Sequence, residues 1–172
     1  MPHRAVAIAN EFLRQPGAAE RLTQMQLQKL VYFASGWNWA LNNEPLVSDT
    51  PEAWSYGPVY RELYNHTRYF GREPIGRLIT PDDSEVARVF GSGKREQPPY
   101  SAALTNREAQ IVSQVWRRYG GLNGIRLSEL THRPGTPWFE AYTHGGKNSP
   151  LDEELIRAHY VDLAARTAES AA

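Results

Sequence analysis

Glu52-Ala53-Trp54-Ser55-Tyr56-Gly57-Pro58-Val59-Tyr60 is the stretch on which the reading of this chain turns. A Gly-Pro pair normally interrupts regular structure. Here it lies between an aromatic pair, Trp54 and Tyr56, and an amphipathic run from Val59 to Phe70. Proline is tolerated at a first helical position, where its missing N–H would have no partner anyway. The segment therefore predicts a helix that starts at Gly57-Pro58 and runs to about Phe70, with Trp54 and Tyr56 packed just before it. Val59, Leu63 and Phe70 supply the inner face, and Gly71 fits the C-terminal cap. None of the nine residues stands in a catalytic pattern, so the segment reads as a shaped surface or a fold keystone.

Helical signals dominate on both sides of it. Ala5, Ile8, Ala9 and Phe12 predict a first helix over about 5–15, ended by Pro16-Gly17. Thr23 followed by Gln26 is a capping-box pattern. It opens a second helix whose stripe is Leu27, Leu30, Val31, Ala34, Trp37 and Leu41, closed by Asn42-Asn43. Trp37 and Trp39 are two residues apart, so one should be buried and the other partly exposed. Leu46-Val47 and Ala53-Trp54, separated by Ser48-Asp49-Thr50-Pro51, predict two short strands around that turn. Residues 72–104 are the least regular, with Ile75, Leu78 and Ile79 forming a strand or a packed loop. Residues 91–99 read as a mobile connector.

Thr105 and Glu108 form a second capping box, opening a helix lined by Ile111, Val112, Val115, Trp116 and Tyr119. Asn123 caps a short helix through Leu127 and Leu130. Thr136-Pro137 starts another, carrying Trp138, Phe139 and Tyr142, and Ser149-Pro150 repeats the device for a last helix. Asp152, Glu153 and Glu154 fall in that helix's first turn, where the dipole favours negative charge. The tail at 167–172 is expected to fray. The fold class is mainly α: six or seven helices with at most a two- or three-stranded sheet. A chain of 172 residues suits a single domain, 1–172, with its core at about 5–165.

Composition narrows the function. Hydrophobic residues make up 41% and charged residues 22%, as in globular domains. The absence of cysteine excludes disulfides, thiolate-ligated zinc and a cysteine nucleophile. No apolar run has the length of a membrane span, and the start carries no signal-peptide pattern, so a soluble cytoplasmic protein is expected. Nineteen basic residues balance nineteen acidic ones, which argues against bulk capture of nucleic acid. The charge is uneven: residues 88–133 hold eight basic against three acidic, or +5. Arg107, Arg117, Arg118, Arg126 and Arg133 there would suit an acidic partner or form a solvated helix face.

Catalytic and metal motifs are missing. Gly91-Ser92-Gly93-Lys94 is no phosphate loop, because Arg88 and Arg95 occupy the positions that need glycine and Ser or Thr. The five histidines show no metal spacing, and Asp82, Asp83 and Glu85 read more simply as a capping cluster. No cofactor is expected. The aromatic content is more telling: five Trp and nine Tyr, with Tyr56, Tyr60 and Tyr64 at four-residue spacing along the expected third helix. Trp and Tyr are enriched at binding hot spots.

Four segments in order carry a resemblance. They are Gln26-Leu27-Gln28-Lys29-Leu30-Val31-Tyr32-Phe33-Ala34; Glu52-Ala53-Trp54 with Gly57-Pro58-Val59; Leu127-Ser128-Glu129-Leu130-Thr131-His132; and Thr136-Pro137-Trp138. Together they resemble the SocA-like antitoxin family, or Panacea domain, which includes phage-associated proteins of the GepA type. The resemblance implies a mainly α antitoxin that neutralises a cognate protein toxin, encoded nearby, by direct contact and without catalysis. Some relatives carry an added DNA-binding domain; the roughly 22 residues before the first block are too few for one.

Candidate toxin-binding residues are Lys29, Tyr32, Trp54, Tyr56, Tyr60 and His132, with Gly57, Pro58, Val59 and Trp138 as the structural motif. Fold maintenance is the competing role for Trp54 and His132. A protease adaptor, a DNA-binding regulator and an unrecognised hydrolase are the alternative functions, and homo-oligomerisation is left open.

Overall fold

The computed structural model describes residues 1–93 and 95–171. Among them are eight α-helices and one two-stranded antiparallel sheet. The order is α1 (Ala5–Leu13), α2 (Gln24–Asn42), β1 (Glu52–Trp54), β2 (Gly57–Val59), α3 (Arg61–Thr67), α4 (Glu85–Phe90), α5 (Asn106–Tyr119), α6 (Gly124–Thr131), α7 (Pro137–Glu140) and α8 (Glu153–Ala171). Short 3-10 turns follow α3 at Arg68–Phe70 and precede α4 at Pro81–Asp83, and a wider π-type turn, Ala141–Gly145, extends α7.

Helix α2 is the axis of the molecule. Helices α1, α3, α5, α6 and α8 and strand β2 all pack on it. Every residue from Gln26 to Asn38 is buried, so this helix is enclosed on all sides rather than along one stripe. Leu41, expected on the stripe, is 60% exposed because α2 outruns the core in its last turn. The helix starts where the sequence indicates: Thr23 and Gln26 exchange the two capping-box hydrogen bonds. Asn43, at φ 56°, closes it in the left-handed conformation that Asn tolerates. Thr105 and Glu108 open α5 in the same way, Asn123 caps α6 and Thr136 caps α7. Trp37 is buried and Trp39 half-buried, as their spacing implies.

Three local expectations are corrected. The strands do not flank Ser48–Pro51. They are Glu52–Trp54 and Gly57–Val59, turning at Ser55-Tyr56, with Ala53 opposite Pro58. Leu46-Val47 instead meets the N-terminus, where Val47 forms a single parallel bridge with His3. Gly57-Pro58 is therefore strand, and the third helix begins at Arg61. Pro58 fits because a short two-stranded ribbon asks little of its missing N–H. Ser149-Pro150 does not start the last helix. Pro150 bridges Glu52, the Ser149 hydroxyl donates to the carbonyls of Ala141 and Gly146, and Asp152 caps the helix by accepting from the Glu154 and Leu155 amides. That helix continues to Ala171, past the Thr167 at which fraying is expected.

The irregular stretch between α3 and α5 is held by one side chain of α1 and by the amides of Ile75 and Gly76, which donate to the Leu22 and Ala19 carbonyls. Asn10 is fully buried; its amide donates to the carbonyls of Ile79 and Tyr100, and its oxygen accepts from the Ile79 amide. Ile75 and Ile79 pack into the core as loop residues, not as a strand. Asp83 caps its own turn by accepting from the Thr80 amide and pairs with Arg77. The described residues of 91–99 are exposed; Lys94, within that expected connector, lies outside the described residues.

Helix α8 crosses α2 at Gly36. The Tyr160 ring fills the space a side chain would occupy there: a Cβ on Gly36 would sit 2.3 Å from Tyr160 Cε2. Tyr160 also meets Tyr32 and Trp37 edge-on, at ring separations of 6.0 and 5.6 Å. Gly36→Ala should therefore push α8 off α2, costing about 1–3 kcal/mol as overpacking does. Urea and thermal unfolding check this, with Tm expected to fall by roughly 2–4 °C per kcal/mol in a chain of this size.

Candidate functional site

The β1–β2 hairpin collects most of the residues singled out in the sequence. Gly57 makes it possible. At φ +110° it adopts a conformation that other residues resist, and a Cβ there would lie 2.6 Å from Lys29 Cε and 2.7 Å from Thr131 Oγ1. The strand thus lies directly on α2 and α6.

Four side chains then grip the hairpin by its backbone. From α2, Lys29 Nζ donates to the Pro58 carbonyl at 3.2 Å. Its neighbour Gln28 donates to the Tyr60 carbonyl at 3.1 Å and accepts from the Tyr60 amide at 2.8 Å. From α6, the Ser128 hydroxyl donates to the Tyr56 carbonyl at 2.6 Å. From α7, Trp138 Nε1 donates to the Trp54 carbonyl at 2.7 Å. On the other edge of β1, Ala53 exchanges backbone hydrogen bonds of 2.7 Å with Ser149 and Asn148.

The candidates divide by exposure. Lys29 and Tyr60 are each 1% exposed and Tyr32 3%, so these three contribute from inside. Trp54 and His132 are half-buried, and Tyr56, at the tip of the hairpin, is 68% exposed. Gly57, Pro58, Val59 and Trp138 are buried. The tyrosine series does not share a face, because Tyr56 and Tyr60 precede α3 and helical spacing does not apply to them. Tyr64, on α3, meets Trp54 edge-on at 4.7 Å. Trp54 Nε1 donates to Glu52, Arg61 pairs with the same carboxylate, and the Arg61 guanidinium lies 5.4 Å from the Trp54 ring. Partial burial opposes ionisation of Glu52, but the hydrogen bonds from Arg61 and Trp54 prevail and hold its carboxyl below the ordinary value.

Beneath the hairpin, Lys29 has no carboxylate partner within 4 Å among the described residues. Burial pulls its ammonium down to about 7. Beside it, the His132 imidazole is pushed below its ordinary value, first by its own burial and then by the Lys29 charge. The His132 ring faces Trp138 at 4.0 Å, and Trp138 stacks on Tyr142 at 4.7 Å. Lys29, His132 and Trp138 form a foundation of uncommon chemistry beneath a presented tip. Lys29, walled in by Gly57, Pro58 and Thr131, serves as a donor to the main chain. No group of three or more His, Asp or Glu among the described residues is placed to hold a metal ion.

Gln28 and Ser128 were not singled out in the sequence. A signal existed for Gln28: it stands next to Lys29 in the first of the four segments that carry the resemblance. Asp49 was also missed as a cap; it accepts from the Ala5 amide at 2.6 Å at the start of α1. Its carboxyl is raised, chiefly by burial.

A helical scaffold thus locks a small hairpin and exposes its aromatic tip. Comparison with known proteins gives the family. The model of the family described as antitoxin SocA-like, Panacea domain, matches residues 27–139, well over half the chain, and the protein belongs to that family. It is 29% identical over 140 residues to Antitoxin SocA of Caulobacter vibrioides (strain NA1000 / CB15N), an alignment spanning 78% of this chain and 68% of the relative. No solved structure matches it significantly.

Lys29 sets a pH dependence. In the unfolded chain its proton is held up to about 10.5, the ordinary lysine value, whereas in the fold it is released near 7. Between these values the unfolded state binds more protons, so stability rises with pH across the window and the cost of burying the cation is largest below it. Lys29→Met should abolish this rise, which is expected to be on the order of a few kcal/mol. Urea unfolding of both proteins at pH 7 and pH 10 checks it: the wild type alone should gain stability at the higher pH.

Proposed function

We propose that this protein is the antitoxin of a toxin–antitoxin pair and neutralises a protein toxin by direct, non-catalytic binding in the cytoplasm. Family membership supports the class. The observation that carries the mode of action is Tyr56, 68% exposed on a hairpin whose backbone is gripped from α2, α6 and α7. A large aromatic side chain held on an ordered backbone has little freedom left to lose on binding, which favours affinity. Trp54 and Arg61 flank the tip, and Trp, Tyr and Arg are the residue types that dominate binding energy. Lys29, Tyr60 and His132 act from below, setting the position of the tip, while Tyr32 packs against Tyr160 of α8. A stable complex would cover roughly 1,200–2,000 Å² in total, so the hairpin is the anchor of a wider contact.

The test is growth of cells that express the reading frame adjacent to this gene, alone and together with the protein. Growth arrest relieved by co-expression is the expected result; arrest without relief would overturn the proposal. Tyr56→Ala should weaken the complex by about 30-fold, the equivalent of a 2 kcal/mol hot spot. Leu41→Ala, at another exposed apolar residue away from the hairpin, should leave affinity unchanged. Calorimetric titration of the purified pair reads both.

A further inference from the structure

A second surface has the makings of a binding site. Between α8 on one side and the end of α5, the end of α6 and the loop before α7 on the other lies an open groove of about 480 Å³. Its floor is aromatic: Phe33, Tyr119 and Tyr160 are buried yet line it, with Phe33 and Tyr119 rings 4.6 Å apart. Its rim is cationic, with Arg118, Arg133 and Arg166. Arg166 is already engaged by Asp162 at 2.5 Å. Arg118 and Arg133 have no carboxylate within 4 Å among the described residues. Arg118 is held in place over the rings of Trp37 and Tyr119, 5.4 and 5.3 Å away, so its charge is positioned without being neutralised.

We propose that this groove docks an acidic, aromatic-bearing segment of the protein partner, with Arg118 and Arg133 pairing its carboxylates over the aromatic floor; this rests on the toxin-binding reading above. The guanidinium fork matches a carboxylate bidentately, and a carboxylate brought over a partly dry aromatic floor is screened less than on open surface. A polyanion such as nucleic acid suits the site poorly. Asp162 stands on the opposite wall, and residues 134–172 carry three basic against six acidic residues, or −3. Two free cations facing a wall on which Asp162 and Arg166 neutralise each other suit a short segment with few carboxylates rather than a polyanion. The groove also has a divided origin. The family match ends at residue 139, so one wall is family scaffold while the other, α8, lies beyond it. A partner seated here reads a wall that lies outside the family match.

The first test titrates the full-length protein with a capped hexapeptide alternating glutamate and phenylalanine, followed by amide chemical shifts. Saturable shifts around Arg118, Arg133 and Leu163, absent with the lysine–phenylalanine counterpart and not displaced by single-stranded DNA, are expected. The double variant R118E/R133E should weaken binding at least tenfold. Ala158→Trp, which fills the groove without changing charge, should do the same while unfolding at the wild-type temperature. No saturable binding, shifts elsewhere, equal binding of both peptides, displacement by DNA or indifference to both variants would each overturn the proposal. The second test measures the complex with the adjacent gene product. Wild-type binding that drops tenfold or more in R118E/R133E supports the groove; equal binding overturns it. If the wild type itself forms no complex, the toxin-neutralising reading falls, and the peptide titration still decides the groove.

Discussion

A helix enclosed on every side must find a partner for each polar group it carries, and α2 carries several. An unsatisfied buried donor or acceptor costs about 1–3 kcal/mol, so these residues act as fixed fittings for whatever packs around them. Gln26 donates to the Leu122 carbonyl between α5 and α6, Gln28 clasps Tyr60, Lys29 holds Pro58, and Asn38 donates to the Glu44 carbonyl just past the helix. Asn10 of α1 plays the same part for the long segment between α3 and α5. Hydrophobic burial supplies the bulk of the driving force here as in any domain, but it has no direction. These amides and one ammonium supply the direction, setting where each irregular segment lies.

Two of these constraints, Gln28 and Lys29, converge on the hairpin. Its main chain receives hydrogen bonds from α2, α6 and α7 and continues through Ser149 and Asn148 toward α8. An element of three residues per strand would hardly persist in water by itself. Here it is ordered by its surroundings, and the turn it presents is correspondingly well placed. Lys29 reveals the tension in the arrangement: an amine that burial pulls down to about 7 sits in a dry site with no carboxylate partner among the described residues, and its reach to Pro58 ties the strand to α2.

What could be read from the sequence depended on how far apart the deciding residues lie. Thr23 with Gln26 and Thr105 with Glu108 marked helix starts because both halves of a capping box sit within four residues. Gly57-Pro58 was ambiguous locally. Proline suits a first helical turn or a short strand equally, and what decided between them, Lys29, Ser128 and the Asn148–Leu151 segment, lies far away in sequence. Ser149-Pro150 failed for the same reason, since Asp152 was the better cap and Pro150 was needed beside Glu52. The family blocks name residues that the fold brings together, with Lys29, Gly57, Pro58, His132 and Trp138 around one hairpin. Their exposure could not be read, because whether Lys29 and Tyr60 face water depends on how the elements around them close. The groove beside α8 left no linear trace, as its two walls come from opposite ends of the chain.

Asn10, Gln26, Gln28, Lys29, Ser128 and Trp138 share one habit: each holds a main-chain carbonyl, and none of these grips uses a side chain on the held segment. Every residue other than proline and every proline alike offers that carbonyl. A segment anchored in this manner can take other outward residues without losing its anchors. The scaffold thereby separates support from presentation: the anchoring residues hold the tip in place, and its outward-facing side chains can be exchanged without loosening it.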